Sequence, residues 1–485
     1  MSEVFLFSSP KIQPLEWHQF TLKKNLSPRC WKIWPLHQEY KLSFIAFGLT
    51  IVLVLSIFAF SASFAPMSAA QQKRQVTLTA VLDDQGEPSR LLNMLFNPAL
   101  QELRTRHPDL DIKLDYRPIP YINLHNQFLK AMANQTPIDI MTVDHIWLGE
   151  FADRGYVTDI TDRVLKWGRV SDWYQANFDG GVYKGKVYGI WTVADVRGIW
   201  YWKDLLSKAG VDPNLLVTWD GYIAAAKKLN AALRPMGIEG VHLVASPIDM
   251  WYPYLWELGG EVIKLKTGHP TKGTYWFPAY NSSEGVRALE FIKAQVDAGI
   301  KPQKQHFWGK EFLDRKFAVM IEAVGNHIRD DYNVTTPDKL RDFETKVGFI
   351  PGFPVPSEGT PSATVMGGWE LSVPITSKNK DLAWELITLI LDPKIMAPFH
   401  SKYGLLPTQI PIGQGPYSVQ LNQTIPYFEK QISMLQLRGV RPIIPEYAGI
   451  AVNVRDAYNN VTYGLKDPKE ALDQAAAKSA KVLGW

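Results

Sequence analysis

Cysteine is almost missing from this chain. The single one, Cys30, precedes a long apolar run, so everything downstream lacks a disulfide, a cysteine metal site and a thiol nucleophile. No cysteine follows the run either, which excludes a lipoprotein anchor. The ten histidines include no HExxH and no pairing with acids at zinc-ligand spacing, and there is no GxSxG elbow for a serine nucleophile. No metal and no other cofactor is expected. A surplus of one charge is also missing. The net charge is +4, but residues 1–70 hold six basic and three acidic residues, leaving +1 for the rest. A nucleic-acid partner needs a concentrated basic face, so none is expected. Hydrophobic residues make up 46% and charged residues 21%, a globular composition rather than a disordered one.

With 485 residues the chain is too long for one ordinary core, and more than one domain is expected. Ser43–Phe64 (SFIAFGLTIVLVLSIFAFSASF) is free of charge and of bilayer-spanning length. Lys41 just before it favours an N-terminus inside and the remainder outside. The expected layout is a basic cytoplasmic leader (1–42), a transmembrane or signal segment (43–64), a linker (65–75) and an extracytoplasmic working part. Ser68-Ala69-Ala70 offers a signal-peptidase site, while the long leader suits an uncleaved signal anchor. Asn-x-Ser/Thr sequons at Asn134, Asn281, Asn333, Asn422 and Asn460 matter only in a glycosylating host.

Val76–Leu82, Asp111–Arg117 and Pro137–Val143 read as strands. Helical patterns lie between them, one after Ser89 and one at Leu124–Ala133. That alternation predicts an α/β lobe with a mostly parallel sheet. Ligands sit at the carboxyl ends of strands in such sheets, the position held by Asp84, Gln85, Asp144 and Trp147. Tyr188–Trp202 (YGIWTVADVRGIWYW) then sets five aromatics around Asp195 and Arg197, a composition suited to a cleft between two lobes. Helices are expected at Thr218–Leu233, Ser283–Ala298, Asp381–Leu391, Tyr427–Leu437 and Pro468–Leu483. Strands are expected at Val241–Ala245, Phe317–Glu322, Lys346–Ile350 and Leu371–Pro374.

Gly180–Lys186 (GGVYKGK) opens like a phosphate-binding loop, but Val187 stands where the Mg²⁺-binding hydroxyl belongs. It reads as a glycine turn between two strands. The carboxylates Asp84, Asp144, Asp195, Glu322 and Glu370 could serve a tethered glycoside hydrolase or lyase, which needs two of them at a set separation. They serve equally well as acceptors for sugar hydroxyls. Tryptophan favours the second use: of 17 in the chain, 14 follow residue 70, and indole faces suit the C–H patches of sugar rings. Trp147, Trp191, Trp251 and Trp369 lie at strand ends or in loops beside polar residues, whereas Trp219 and Trp384 follow helical periodicity and read as core.

The collinear pieces PIDIMTVDHIWLGEFADRGYVTDIT, YKGKVYGIW, GIWYWKDLLSKAGVDP, TWDGYIAAAKKL, WYPYLWELGGEV, RKFAVMIE, GGWELSVPITSKNKDLAWELITLIL, GLLPT and RPIIPEYAGI resemble the carbohydrate-binding extracellular solute-binding proteins of ABC importers, the family of maltose-binding protein. The resemblance implies a two-lobed α/β fold of type II periplasmic binding proteins. Its N-lobe would be 76–194 and 324–370, its C-lobe 195–323 and 371–485. Three hinge crossings would fall near Ile190–Asp195, Ile321–Gly325 and Gly367–Leu371. It implies ligand contacts from Asp84, Gln85, Asp144, Trp147, Trp191, Asp195, Trp251, Glu322, Gly368, Trp369, Glu370 and Arg441. Ala323-Val324-Gly325-Asn326 departs from the family's Gly-x-Trp, so that platform is lost. The implied protein is a monomer and no enzyme. It binds a di- or oligosaccharide and passes it to ABC permease subunits with their ATPase, held at the membrane by its N-terminal helix. A sensor subunit for a membrane receptor is the other binding role such a fold could fill.

Overall fold

Ten consecutive residues rich in β-branched and small apolar side chains, Arg74–Asp83, form strand β1. The computed structural model describes residues 73–485 apart from 84–88, 245–249, 304–308, 324–327 and 330–331. The apolar run at 43–64 and the ligand positions Asp84 and Gln85 therefore lie outside the described residues. No helix among the described residues is long and apolar enough to cross a membrane.

β1 runs parallel to β2 (Leu110–Ile119) over its whole length, and to β3 (Ile140–Asp144) at Ala80 and Val81. Between β1 and β2, a single π-helical turn at Leu92–Phe96 leads into α1 (Asn97–Arg106), which buries Ala99, Leu100 and Leu103. Pro120 ends β2 and α2 (Tyr121–Ala133) starts at once, its buried residues Leu124, Phe128 and Met132 spaced four apart on one face. The Asp144 side chain accepts the Ile146 N–H and caps α3 (His145–Asp153), so the chain turns sharply where β3 ends.

Two sheets divide the chain. The first has the order β10-β4-β9-β3-β1-β2, where β4 is Ile190–Val196, β9 is Met366–Ser372 and β10 is Leu406–Pro407. The second has the order β8-β5-β7-β6, from β5 (Gly198–Trp202), β6 (Glu239–Val241), β7 (Phe317–Glu322) and β8 (Val347–Ile350). β9 pairs antiparallel with both β3 and β4, so the first sheet is mixed rather than mostly parallel. The helices α4 (Trp219–Leu233) and α5 (Ser283–Asp297) accompany the second sheet, each capped by a hydroxyl from the preceding residue, Thr218 and Ser282. Two C-terminal helices, Tyr447–Thr462 and Pro468–Val482, pack on each other and on α5.

This partition corrects the expected crossings. The chain passes from the first sheet to the second at one residue, Arg197, just beyond Ile190–Asp195. Its return is residues 351–365, not Gly367–Leu371, which lies inside β9. Phe317–Glu322 stays within the second sheet, paired with β5, so Ile321 and Glu322 are sheet residues. Val347–Ile350 belongs with the second sheet and Leu406–Pro407 with the first, against the expected lobe boundaries. Along the return, Arg438 and Gly439 carbonyls accept the N–H groups of Thr364 and Met366, both at 3.0 Å. That binds a third segment to the same place.

Candidate functional site

The carboxyl end of β3 and the start of α2 meet over strand β9. Tyr121 opens α2, stacks on Trp147 of α3 with ring centroids 5.5 Å apart and 12° between planes, and meets Trp369 of β9 edge-on at 5.3 Å. Trp147 and Trp369 lie 6.5 Å apart at 67°. These three rings form an aromatic corner, and Trp369 and Asp144 are register partners on adjacent strands. The Tyr121 hydroxyl donates to Asp144 Oδ2 at 3.0 Å. Offset and edge-on rings of this kind prefer each other's company but leave faces that a flat ligand can cover.

The charged groups converge from the other side. Gly367 pairs with Asp195 across β9 and β4, and a Cβ at Gly367 would come within 2.5 Å of Asp195 Oδ2, so the carboxylate lies flat over that glycine. Arg197 Nη1 donates to Asp195 Oδ1 at 2.8 Å, and its Nε stands 3.3 Å from Glu322 Oε1. The Asp195 side chain remains 38% exposed while that of Glu322 is 1% exposed, so only Asp195 offers an oxygen to solvent on this side. Burial pushes the Asp144 carboxyl up. The contact with His145, the Arg441 charge and the Ile146 N–H outweigh it, and the net shift is downward. Burial and the Arg441 charge hold the His145 imidazole below its ordinary value, against the pull of Asp144 and Asp195. Asp144, Asp195 and Arg441 therefore share one electrostatic neighbourhood around His145. Among the described residues no group of His, Cys, Asp and Glu could hold a metal ion.

The expected ligand residues thus separate. Asp144, Trp147 and Trp369 meet at the corner, Asp195 and Glu322 meet at Arg197, and the Arg441 charge acts on Asp144 and His145. Trp191, Gly368 and Glu370 are adjacent in the sheet but occupy its opposite face. The Trp191 indole, 1% exposed, fills the space left by Gly368, where a Cβ would meet Nε1 at 2.0 Å. Glu370 pairs with Trp191 in register and packs against Gly189 and Ser372, 0% exposed. Trp251 is 0% exposed in the second lobe's core beside Tyr252 and Tyr280. Trp191, Glu370 and Trp251 are sealed side chains with no open face, and Gly368 is covered by the Trp191 indole. Tyr121 was missed. It stands at the carboxyl end of β2, the same kind of position that flagged Asp144.

Comparison with known proteins follows the geometry. A family model described as bacterial extracellular solute-binding protein matches residues 96–397, and the family's members are binders, not enzymes. A binding protein of Brucella abortus is 24% identical over 388 residues, covering 77% of this chain and 86% of that protein. An arabinooligosaccharide-binding protein of Bacillus subtilis is 22% identical over 404 residues, covering 78% and 87%. The solved structure of a cyclic alpha-maltosyl-1,6-maltose binding protein from Arthrobacter globiformis superposes with a TM-score of 0.67 at 21% identity, covering 84% of this chain and 99% of that one. The fold is the two-lobed α/β fold of such proteins.

Proposed function

The chain belongs to the bacterial extracellular solute-binding proteins, and from that premise we propose that it captures a di- or oligosaccharide between its lobes and delivers it to an ABC permease. The observation that carries this reading is the aromatic corner of Tyr121, Trp147 and Trp369 set against Asp144, with Asp195 opposite Gly367, two residues from Trp369 along β9. A sugar presents C–H faces to the rings and hydroxyls to the carboxylates, and few other solutes need both. The sugar specificities in the names of the Bacillus and Arthrobacter relatives support the same class. Ligand touching both lobes binds their closed arrangement better than any open one and shifts the population toward it, with no bond made or broken. The Ser43–Phe64 run would tether the protein outside the membrane, next to the permease.

A thermal-shift screen with arabinotriose, maltotriose and cyclic maltosyl-maltose tests the class. A sugar that binds raises the melting temperature with concentration and alters tryptophan fluorescence. Uniform silence across sugars, with an amino acid or peptide giving the shift instead, overturns it. Loss of uptake of the active sugar when the adjoining permease genes are deleted tests delivery.

A further inference from the structure

Arg197 is the whole of the first connection between the two sheets, yet its side chain is almost sealed, 10% exposed. Its backbone is tied to the returning connection by one hydroxyl. Thr364 Oγ1 accepts the Arg197 N–H at 3.0 Å and donates to the Arg197 carbonyl at 2.8 Å. Its guanidinium contacts Asp195 of the first sheet at 2.8 Å, the Val365 carbonyl of the return at 3.4 Å, and Glu322 of the second sheet at 3.3 Å. Glu322 is fixed in turn. Its Oε1 accepts the Ala323 N–H at 2.8 Å, and its carbonyl accepts the Trp200 indole N–H at 3.0 Å.

We propose that Arg197 is a positioning residue that clamps the lobe arrangement and, through the same guanidinium, presents Asp195 to the ligand. The inference rests on the sugar reading only for its second half. A planar fork with donors on different edges can reach an acid on each sheet and a carbonyl on the connection together; a lysine ammonium, a point charge on a flexible stem, cannot hold that geometry. Any rotation of one sheet against the other moves Asp195 relative to Glu322, so the fork resists it. Asp195 Oδ1 is taken by Arg197, which leaves Oδ2 as the acceptor for a ligand hydroxyl. Binding at Asp195 and hinge angle are thereby read by one carboxylate.

The test uses the full chain carrying Cys30→Ser, with dyes on Ile122→Cys in the first lobe and Leu265→Cys in the second, residues 82% and 59% exposed. Single-molecule energy transfer without ligand reports lobe spacing. Arg197→Met is expected to broaden and shift that distribution, with Arg197→Lys falling between it and the parent. Asp195→Asn, which keeps the shape and weakens one arm, should shift it in the same direction by less, and decides the matter if Arg197→Met does not fold. Folded variants with an unchanged distribution overturn the clamp. Titration with arabinotriose, maltotriose and cyclic maltosyl-maltose should show at least a tenfold rise in Kd for Arg197→Met; an unchanged Kd overturns the presenting role. If the parent binds none of the three, the sugar reading is what has failed, and the ligand-free spacing still judges the clamp.

Discussion

Strand β9 has two faces, and each carries an aromatic ring and a carboxylate. On the Gly367–Trp369 face, Trp369 meets Tyr121 and Trp147 at a corner, and the neighbouring carboxylate, Asp195, is half open and paired with Arg197. On the Gly368–Glu370 face, Trp191 is packed shut and, among the described residues, Glu370 has no hydrogen-bond partner for either oxygen. Residue types are alike; surroundings are opposite. A carboxylate with a guanidinium beside it and an edge open to solvent can accept a ligand's hydroxyl, while one sealed without a cation is driven toward its neutral form. An aromatic beside an acid is thus no mark of a site. What marks it is an acid that has a partner and an open oxygen, and a ring with a face left uncovered.

The largest expected contrast is in stability. Trp191→Ala empties a fully packed site and should cost about 3–5 kcal/mol of folding free energy, measured by urea titration. Trp369, half-buried at the corner, should cost far less. Equal losses for the two would erase the distinction between the faces. Next comes Gly368→Ala. Its added methyl would collide with the Trp191 indole and with the Val193 carbonyl at 2.5 Å, an overpacking expected to cost about 1–3 kcal/mol. If Gly368→Ala melts with the parent protein, the indole is not seated where this packing requires. Third, Trp369→Ala should weaken sugar binding by at least about 1 kcal/mol, the scale of an aromatic contact beyond area burial, with the fold intact by circular dichroism. Unchanged affinity in calorimetry would remove Trp369 from the site.

How far the sequence revealed this depends on which physical signal each element leaves. The strand ends were legible: the reading of Phe317–Glu322 matches its strand to the residue, and β3 does end at Asp144, with Trp147 in the helix that follows. The core assignment of Trp219 followed from helical spacing and holds, at 8% exposure. The two faces of β9 were not legible. Trp369 and Glu370 are adjacent letters, and alternation sends them to opposite sides, but nothing in one strand says which side is sealed. That depends on Gly189 and Trp191, far away in sequence, filling the Glu370 side. Helix Pro393–Tyr403 was missed because Pro398 inside it reads as a breaker, and tertiary packing overrides that penalty. Tyr447–Thr462 was missed because the prolines ahead of it read as loop. The hairpin of Ile263–His269 and Gly273–Pro278 shows only a mixed pattern, since exposed lysines alternate with a partly exposed apolar row.

The smallest expected effect separates the two carboxylates most cleanly. Burial, with the Asp144 charge adding to it, raises the Glu370 pKa well above the ordinary glutamate value. The folded chain then holds a proton there that the unfolded chain gives up once pH passes the ordinary glutamate range. Stability falls with rising pH wherever the folded state binds more protons. Glu370 is therefore at its best below that range, and its contribution declines upward from it toward the raised pKa. Glu370→Gln, neutral at every pH, removes the decline. Melting temperatures of variant and parent should lie closest at low pH and diverge in the variant's favour toward neutrality. The buried histidines do not obscure this. His400, held near 3 by burial, destabilises in the opposite sense as pH falls below the ordinary histidine value, but it is common to both proteins and cancels in the difference. Asp195→Asn on the other face should show no such divergence, because that carboxylate is paired with Arg197 and stays open to solvent. A parallel pair of curves for Glu370→Gln would mean the acid has found a partner or water, and the two faces would then differ in geometry alone.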